Sequence, residues 1–309
     1  MNILVISSNL IGDNILSTGI IKDFVDRYPN SKITMVVGPT AAQVYKNFPN
    51  INKLIIIKKQ TYKFHWFQIW KKCFLKKWDI IIDFRSSAIS HLLFKNKKYI
   101  FKHQKNIVTH QIDQFIKFFD IKNESYPILF NNDIENNIAK KNIFLDKKYI
   151  VISPGGNWIP KIWPVQNYNN LLIKLLNENK NLHVILVGSN ADKEIYKIKL
   201  IKNIDNNKII DLMGQTITQT YAYIKLSNLF IGNDSGLMHL AAAANIATIG
   251  LFGPTNHTLY SPYGKKCFIL RTKETFEEFK LITLDKYKTY MESISVDDVL
   301  IMIKDKNLL

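Results

Sequence analysis

The sequence predicts an α/β protein with two doubly wound domains. Short apolar runs alternate with amphipathic stretches along the 309-residue chain, and this alternation occurs twice, on either side of a polar, Asn-rich stretch at residues 131–148. Strand–helix alternation of this kind is typical of parallel sheets covered by helices on both faces. The length suffices for two domains of ordinary size. We therefore expect an N-terminal domain over residues 1–145 and a C-terminal domain over residues 146–309.

The first half of the chain predicts six strands. Their apolar runs lie at residues 3–7, 33–37, 54–57, 80–83 and 99–101, with a weaker one near Ile128. Apolar residues at helical spacing predict helices between them, at residues 13–28, 41–48, 66–77 and 110–119.

The second half repeats the pattern. Strands are predicted at residues 149–153, 183–187, 209–211, 229–231 and 248–252, and helices at residues 165–179, 192–204, 218–226 and 237–244. The stretch between the halves, residues 131–148, has no strand character and fits either a linker or a short surface helix.

Composition restricts the class of protein. No run of about eighteen apolar residues occurs, so no transmembrane helix is expected. The opening "MNILVISSNLIGDN" lacks a basic region followed by an apolar core, which favours a first strand over a signal peptide. Cys73 and Cys267 are the only cysteines and have no metal-type spacing. We expect reduced thiols in a cytoplasmic protein.

Positive charge is concentrated in the first half. Residues 1–150 hold 24 Lys and Arg against 11 Asp and Glu, a net of +13, whereas residues 151–309 hold 18 against 14, a net of +4. A compositional drift along the whole chain would not produce this imbalance. A basic first half favours an anionic partner, which for this composition is a nucleic acid, an anionic membrane surface or an acidic substrate.

One glycine turn, residues 232–236 within "FIGNDSGLMHLAAA", joins a predicted strand to a predicted helix. In an open α/β sheet, ligands bind at the carboxyl ends of the strands, where such turns lie. The free N–H groups and the dipole at a helix N-terminus favour an anion, and glycine lets the ligand approach the backbone. Taken alone, the turn fits a helix cap by Asp234 or Ser235 equally well.

Neighbouring loops favour the anion site. His239 lies one turn after Ser235, on the same helix face. Three other strand-end loops, at residues 153–164, 188–194 and 251–257, are also polar and glycine-bearing. A carboxylate after a strand end, here Asp192, often binds ribose hydroxyls. Four such loops suit a nucleotide-diphosphate pocket.

Four motifs, in order along the chain, resemble glycosyltransferase family 9: "NLIGDNILSTGIIKDF", "PGGNWIPKIWP", "GNDSGLMHLAAA" and "LFGPT". The best-known members of this family are lipopolysaccharide heptosyltransferases. The resemblance implies a GT-B architecture, in which two Rossmann-like domains face a central cleft, the first holding the acceptor and the second the nucleotide sugar. It also implies inversion at the anomeric carbon, no metal ion and no cofactor. ADP-heptose is the expected donor substrate, and lipopolysaccharide core the expected acceptor.

The resemblance also assigns roles to individual residues. Asp13, in "IGD", matches the catalytic base; as a carboxylate it would take the acceptor hydroxyl's proton, although Asp at this place also suits a helix cap. The implied donor contacts are Asn157 and Lys161 at the phosphates, Asp192 at the ribose, Met213 and Gln215 at the base, Asp234 at the sugar, and Ser235, Gly236 and His239 at the diphosphate turn. No Asp-x-Asp motif occurs near the second-half loops, in keeping with a metal-free reaction.

A basic aromatic segment, "YKFHWFQIWKKCFLKKW" at residues 62–78, remains outside these motifs. Trp66, Trp70, Phe74 and Trp78 recur every four residues and would line one helix face. The segment fits a core helix with a solvated basic edge, or an interfacial helix on an anionic leaflet. An anionic glycolipid acceptor would be drawn to it, and peripheral contact with the inner membrane stays open.

Two readings from other functional classes are weaker. A nucleic-acid-binding protein would leave the glycine turn unexplained, and no nucleic-acid-binding motif occurs, so we expect no nucleic acid partner. A glycolipid-binding module without catalysis would not need Asp13 or the donor loops. A family member that uses a different nucleotide sugar and acceptor is the nearer alternative.

Overall fold

The computed structural model describes residues 1–58, 60, 64–103, 108–144 and 146–309. The chain divides into two compact units, Met1–Phe130 (unit 1) and Asn131–Leu309 (unit 2). Each is built on its own parallel sheet, as the alternating pattern predicts.

Unit 1 contains a parallel sheet with the order β3-β2-β1-β4-β5. Its strands are β1 (Asn2–Ile6), β2 (Lys32–Val37), β3 (Ile51–Ile56), β4 (Trp78–Asp83) and β5 (Lys95–Ile100). Its helices are α1 (Ile11–Arg27), α2 (Phe64–Cys73), α3 (Ile89–Leu92) and α4 (Gln111–Phe119), with a 3-10 turn at Ala41–Tyr45.

Helices cover both faces of this sheet. Helix α1 packs against α4 and the 3-10 turn. Helices α2 and α3 pack against each other and share a buried cluster with residues of β1, β2, β3 and β4. The sheet is thus buried on both sides, as continuous apolar strands require.

Unit 2 contains a six-stranded parallel sheet with the order β11-β10-β9-β6-β7-β8. Its strands are β6 (Lys148–Ser153), β7 (Leu182–Leu186), β8 (Ile209–Asp211), β9 (Leu229–Asn233), β10 (Ala247–Phe252) and β11 (Cys267–Arg271). Counted within the unit, the order reads 6-5-4-1-2-3, the strand order of the doubly wound dinucleotide-binding fold. The order reverses between β6 and β9, so their strand-end loops border the crevice where ligands bind in such sheets.

Eight helices of unit 2 lie in the described residues. They are α5 (Asp133–Asn142), α6 (Val165–Glu178), α7 (Asn190–Leu200), α8 (Ile217–Ile224), α9 (Gly236–Ala243), α10 (His257–Tyr260), α11 (Phe276–Lys280) and α12 (Val296–Asp305). In α6, buried Tyr168, Leu171, Leu172, Leu175 and Leu176 repeat at helical spacing. One apolar cluster joins this face to α12 and to strands β6, β7, β9 and β10.

The structure corrects four details of the sequence-based prediction. Ile128 is not in a strand; its N–H donates to the Thr18 hydroxyl (2.9 Å), so this segment runs along α1. Residues 41–45 form a 3-10 turn rather than an α-helix. Strand β11 and helices α10 to α12 have no counterpart in the prediction, although the apolar run of β11 at residues 267–270 is bounded by Lys266 and Arg271.

The fourth correction concerns the polar stretch at residues 131–148, of which residue 145 lies outside the described residues. It contains α5, so the surface-helix alternative is the one observed. The buried Glu135 accepts a hydrogen bond from the Thr218 hydroxyl (2.6 Å), and Asn131 donates to the Thr218 carbonyl (2.6 Å). These bonds tie α5 to α8, which places the unit boundary before α5 and not after residue 145.

Among the described helices, none is long and apolar enough to cross a bilayer.

Candidate functional site

The glycine turn connects β9 to α9 at the carboxyl end of the unit 2 sheet. Strand β9 ends at Asn233, and α9 begins at Gly236. Ser235 occupies the N-cap position, but its side chain accepts no hydrogen bond from the helix. Its hydroxyl is buried and has no hydrogen-bond partner in the part of the chain that the structure describes. Ser235 is therefore not a helix cap, and its hydroxyl is available to a bound ligand.

Asp234 and Lys161 meet beside this helix N-terminus. The Lys161 ammonium lies 3.5 Å from the Asp234 carboxylate, and each side chain is 12% exposed. Lys161 ends a short 3-10 turn, Ile159–Lys161, in the loop that follows β6. The ion pair brings together two side chains that are far apart in the sequence, and it places a cation beside Asp234, two residues before the start of α9.

Asn233 holds the two loops in place. Its side-chain oxygen accepts hydrogen bonds from the backbone N–H of Trp163 (2.9 Å) and from the Tyr168 hydroxyl (3.1 Å). Its amide group donates to the carbonyls of Pro154 (2.8 Å) and Gly155 (3.1 Å). Asn233 is fully buried, so this one side chain connects the end of β9 to both ends of the loop that carries Lys161.

The bonding partners of Asn233 are themselves fixed. Burial raises the pKa of Tyr168 well above its ordinary value, so its hydroxyl stays protonated and can donate to Asn233. The buried Trp163 indole donates to the Ile294 carbonyl (2.9 Å). The loop is thus anchored on a rigid core.

Asp192 lies between two glycines of neighbouring strand-end loops. Its Oδ2 accepts hydrogen bonds from the N–H (2.8 Å) and hydroxyl (2.7 Å) of Ser189, forming the capping box of α7. A Cβ atom at Gly155 would overlap the Asp192 carboxylate, and one at Gly188 would lie 3.0 Å from its Cβ. In this structure Ser189 caps α7, and Asp192 completes the capping box and packs against the loop after β6; its ribose contact remains a prediction.

The loop after β8 carries the two residues expected at the nucleobase. Met213 is buried in the core of unit 2, and its N–H donates to Asp211 (3.0 Å). Gln215 is exposed. Between them, Gly214 has φ of +86°, a left-handed conformation that favours glycine, and Asn190 leaves no room for a Cβ there. Of the two side chains, only that of Gln215 is open to solvent. A ligand can therefore reach Gln215 but not Met213.

Two further predicted residues lie on the same two loops. Asn157 is exposed in the loop after β6, and His239 is buried on α9 one turn after Ser235. Unit 2 thus brings Lys161, Asp234 and Ser235 together, with Asn157 on the same loop as Lys161.

Asp13 lies in unit 1, in the first turn of α1. Its Oδ2 accepts a hydrogen bond from the Ser8 hydroxyl (2.7 Å), which in turn accepts from the Leu10 N–H (3.2 Å). Leu10, not Asp13, occupies the N-cap position, and Asp13 is exposed. The carboxylate is oriented by Ser8 and open to solvent.

A buried amide also anchors the loop that orients Asp13. Asn14 donates to the carbonyls of Ser8 (2.9 Å) and Leu10 (2.7 Å), and it accepts from the Tyr45 hydroxyl (3.1 Å). Asn14 is fully buried. Sequence reasoning missed both Asn14 and Asn233 as positioning residues. The available signal was an amide directly beside a strand-end turn, within an otherwise apolar or glycine-rich stretch.

Within the described ranges, no group of three His, Cys, Asp or Glu side chains is placed to hold a metal ion.

Two doubly wound units, one with a helix N-terminus whose Ser235 side chain makes no capping hydrogen bond, define a two-domain α/β protein. Residues 75–290 match the model of glycosyltransferase family 9 (heptosyltransferase). The chain belongs to this family.

Individual relatives cover nearly the whole chain. The lipooligosaccharide heptosyltransferase 2 of Campylobacter jejuni subsp. jejuni serotype O:6 is 26% identical over 282 residues, 85% of either chain. The solved glycosyl transferase family 9 protein of Veillonella parvula has a TM-score of 0.82 at 21% identity, covering 98% of this chain and 96% of its own. The ADP-heptose lps heptosyltransferase II of E. coli has a TM-score of 0.76 at 19% identity, covering 99% and 98%. The predicted GT-B fold class is confirmed.

Replacing Asn233 by Ala should destabilise unit 2. The substitution leaves the Trp163 N–H and two carbonyls without their partner, and each buried unsatisfied group costs roughly 1–3 kcal/mol. We expect the free energy of unfolding, measured in urea, to fall by about 2 kcal/mol or more. Asn207→Ala, at an exposed position, is the matched control. An Asn233→Ala protein as stable as this control would show that the loop is held by other contacts.

Proposed function

We propose that this glycosyltransferase moves a heptose from ADP-heptose to a lipopolysaccharide-type glycolipid, with inversion at the anomeric carbon and without a metal ion. Membership of the family and the names of its relatives, which are heptosyltransferases of lipooligosaccharide or lipopolysaccharide, support this reaction. The single observation that carries the donor assignment is the N-terminus of α9, with its buried, unpartnered Ser235 hydroxyl beside Lys161 and Asp234.

The diphosphate of the donor binds at the α9 turn in this proposal. The first N–H groups of α9 have no partner within the helix and carry partial positive charge. The Ser235 hydroxyl, the Gly236 N–H and the Lys161 ammonium supply donors and charge to the phosphates. As the glycosidic bond breaks, the same groups stabilise the negative charge that grows on the leaving ADP. Asn157 and His239 are proposed as further phosphate contacts.

The sugar and the nucleoside occupy opposite sides of this turn. Asp234 accepts hydrogen bonds from the sugar hydroxyls while it stays near Lys161. Asp192 binds the ribose, and the loop that carries Met213 and Gln215 forms the base site, with Gln215 as the side chain that the base can reach. These assignments place the donor in the C-terminal unit and leave the N-terminal unit for the acceptor.

Asp13 acts as the general base. A sugar hydroxyl is a poor nucleophile until its proton can leave, and a positioned carboxylate that takes this proton contributes roughly 10²–10⁴ in rate. The Ser8 hydroxyl orients one oxygen of Asp13, so the other can face the acceptor.

The acceptor is an anionic glycolipid. The net charge of +13 over residues 1–150 favours a phosphate- or carboxylate-bearing molecule. Its lipid part would bring the enzyme to the cytoplasmic face of the inner membrane. A thermal-shift panel of nucleotides and nucleotide sugars tests the donor assignment directly. Selective stabilisation by ADP-heptose supports the proposal. Selective stabilisation by another nucleotide sugar would show that this other sugar is the donor.

Changing Asp13 to Asn should lower turnover by about 10²–10⁴-fold, because the amide cannot take the acceptor proton. Donor affinity should stay nearly unchanged, since Asp13 is not part of the diphosphate turn. Transfer is measured with radiolabelled donor, and affinity by calorimetry. Asp26→Asn, which alters a surface carboxylate on the same helix, is the control. Turnover close to that of the parent would remove Asp13 as the base.

Transfer should survive chelation. Lys161 and the α9 N-terminus take the place of a cation at the diphosphate, so treatment with EDTA should leave the initial rate within error of the untreated enzyme. Activity that disappears in EDTA and returns with magnesium or manganese would contradict a metal-independent reaction.

The Asp234→Ala substitution should affect binding of the donor's sugar and binding of its ADP part differently. The intact nucleotide sugar loses a sugar contact and binds more weakly. Bare ADP should bind as well or more tightly, because Lys161 is no longer paired with a carboxylate. A residue that only capped the helix would instead cost about 0.5–2 kcal/mol of stability and affect both ligands alike. Titration of each ligand, with a melting curve, distinguishes the two results.

Gly236→Val is the companion variant. Its side chain stands at the first position of α9, where the diphosphate approaches the backbone, and should weaken ADP and ADP-heptose together. Unchanged binding in both the Asp234 and the Gly236 variants would place the donor pocket elsewhere.

A further inference from the structure

The outer side of helix α2 and the adjoining loops expose large apolar side chains. We call this set the outer patch: Phe64, Phe67, Leu75, Leu92 and Phe94. Their exposed fractions range from 52% to 86%. Phe64 and Phe67 are in ring contact, and α2 packs against α3, which ends at Leu92. Apolar side chains that are exposed singly are ordinary, but a group of them on packed elements commonly marks an interaction surface.

The outer patch is not needed for the core of unit 1. Helix α2 turns Ile69 and Cys73 inward, where they join the cluster under the helix. Trp66, Trp70 and Phe74 pack partly against the same cluster. Trp78, which the sequence pattern placed on the same helical stripe, is instead the buried first residue of β4. The prediction of a core helix thus accounts for the positions of the tryptophans. It leaves the outer patch without a structural role.

Aromatic rings connect the buried and the exposed sides of α2. The Phe64 and Phe67 rings lie 5.7 Å apart between centroids, Phe67 stacks on Trp70 at 5.9 Å, and Trp70 stacks on Phe74 at 4.5 Å. Successive contacts fix the outer phenylalanines in place. A rigid row of rings loses little conformational freedom when it is buried against a partner.

Lysines surround the outer patch. Lys71 and Lys72 lie on the exposed side of α2, and Lys76 and Lys77 follow it. None of these four has an ion pair with a carboxylate among the residues that the structure describes. Lys98, also exposed, lies on the edge strand β5, and its ammonium is 3.4 Å from the ring of His91, next to Leu92.

We propose that the outer patch docks on the surface of an anionic lipid bilayer, with its apolar side chains among the acyl chains near the headgroups and the lysines on the lipid phosphates. Aromatic and leucine side chains beside unpaired lysines are the residues that interfacial helices use. A nucleic acid fits less well, because Leu75 and Leu92 have no ring on which a base can stack. The physiological purpose rests on the proposed function, since a lipid-linked acceptor would then lie at the same surface.

Sedimentation of the full chain with lipid vesicles tests this inference. Vesicles of phosphatidylglycerol and phosphatidylethanolamine should bind the chain, and vesicles of phosphatidylcholine alone should bind it weakly. Raising the salt concentration should weaken binding, because salt screens the lysine contacts. Equal binding to both kinds of vesicle, or to neither, would overturn the proposal.

Paired variants separate the apolar and charged contributions. Phe64→Ser with Phe67→Ser should weaken binding at least about tenfold, through lost apolar burial. Lys71→Gln with Lys72→Gln should weaken it roughly 25-fold, at about fivefold for each lysine. The matched controls are Ile195→Ser with Ile198→Ser and Lys199→Gln with Lys202→Gln, exposed positions in or just after α7 of unit 2. Circular dichroism confirms that each variant is folded, and controls that lose binding as strongly would contradict a role for this surface.

Brominated lipids report on insertion. Trp66 and Trp70 lie beside the outer rings, so bromine on the acyl chains should quench their fluorescence, and Trp66→Phe with Trp70→Phe should abolish most of that quenching. Binding without quenching, or binding competed by single-stranded RNA as well as by salt, would point to a different partner.

These readouts are independent of catalysis. Transfer to a water-soluble, deacylated acceptor fragment should be the same in the outer-patch variants and in the parent. If the chain binds vesicles through the patch but transfers no heptose, the proposed function fails and the docking surface stands. If transfer is normal but vesicles do not bind, the docking inference fails and the proposed function stands.

Discussion

The candidate donor site depends on one buried side-chain amide. Asn233 satisfies a backbone N–H, two carbonyls and a tyrosine hydroxyl at the carboxyl end of the unit 2 sheet. Polar backbone groups that leave a sheet cannot stay buried without partners, and Asn233 supplies them where no strand or helix does. Asn14 does the same beside β1, next to Asp13. Both units therefore present their proposed functional side chains from loops fixed by an internal amide.

This anchoring decides the electrostatics of the site. Because the loop after β6 is fixed against β9, Lys161 reaches Asp234 and the pair is held nearly out of water. Two opposite charges at this distance leave the site close to neutral, so the helix dipole and the Ser235 hydroxyl remain to attract an anion. A sugar that engages Asp234 would release part of the Lys161 charge to the diphosphate. Sugar recognition and diphosphate binding would then be coupled through one ion pair.

The local pattern of apolar and polar residues was sufficient to predict most strands of the fold. The apolar runs of β1, β2, β4, β6, β7 and β9 are short, buried and bounded by polar residues, and they were predicted within a few residues of their positions. Edge strand β11 was missed although its apolar run at residues 267–270 is likewise short and bounded by charged residues; unlike the other strands it is only half-buried. The apolar residues near Ile128 were predicted to form a strand. In the structure, the Ile128 N–H donates a hydrogen bond to the Thr18 hydroxyl of α1 instead. Burial of a short segment depends on its neighbours in space as well as on its own composition.

The sequence alone determined the two-domain fold class and the family resemblance, and it predicted an anion site at the glycine turn, because strand periodicity, glycine spacing and helix starts are encoded within a few residues. Only the tertiary structure decided that Ser235 does not cap α9, that the Asp192 carboxylate is engaged by Ser189 in the capping box of α7, and that Lys161 is paired with Asp234. It also separated the partly buried Trp66 and Trp70 of α2 from the exposed Phe64 and Phe67. A side chain's partner depends on which loops the strand order brings to the same edge of the sheet, and that order is not contained in any local stretch of the chain.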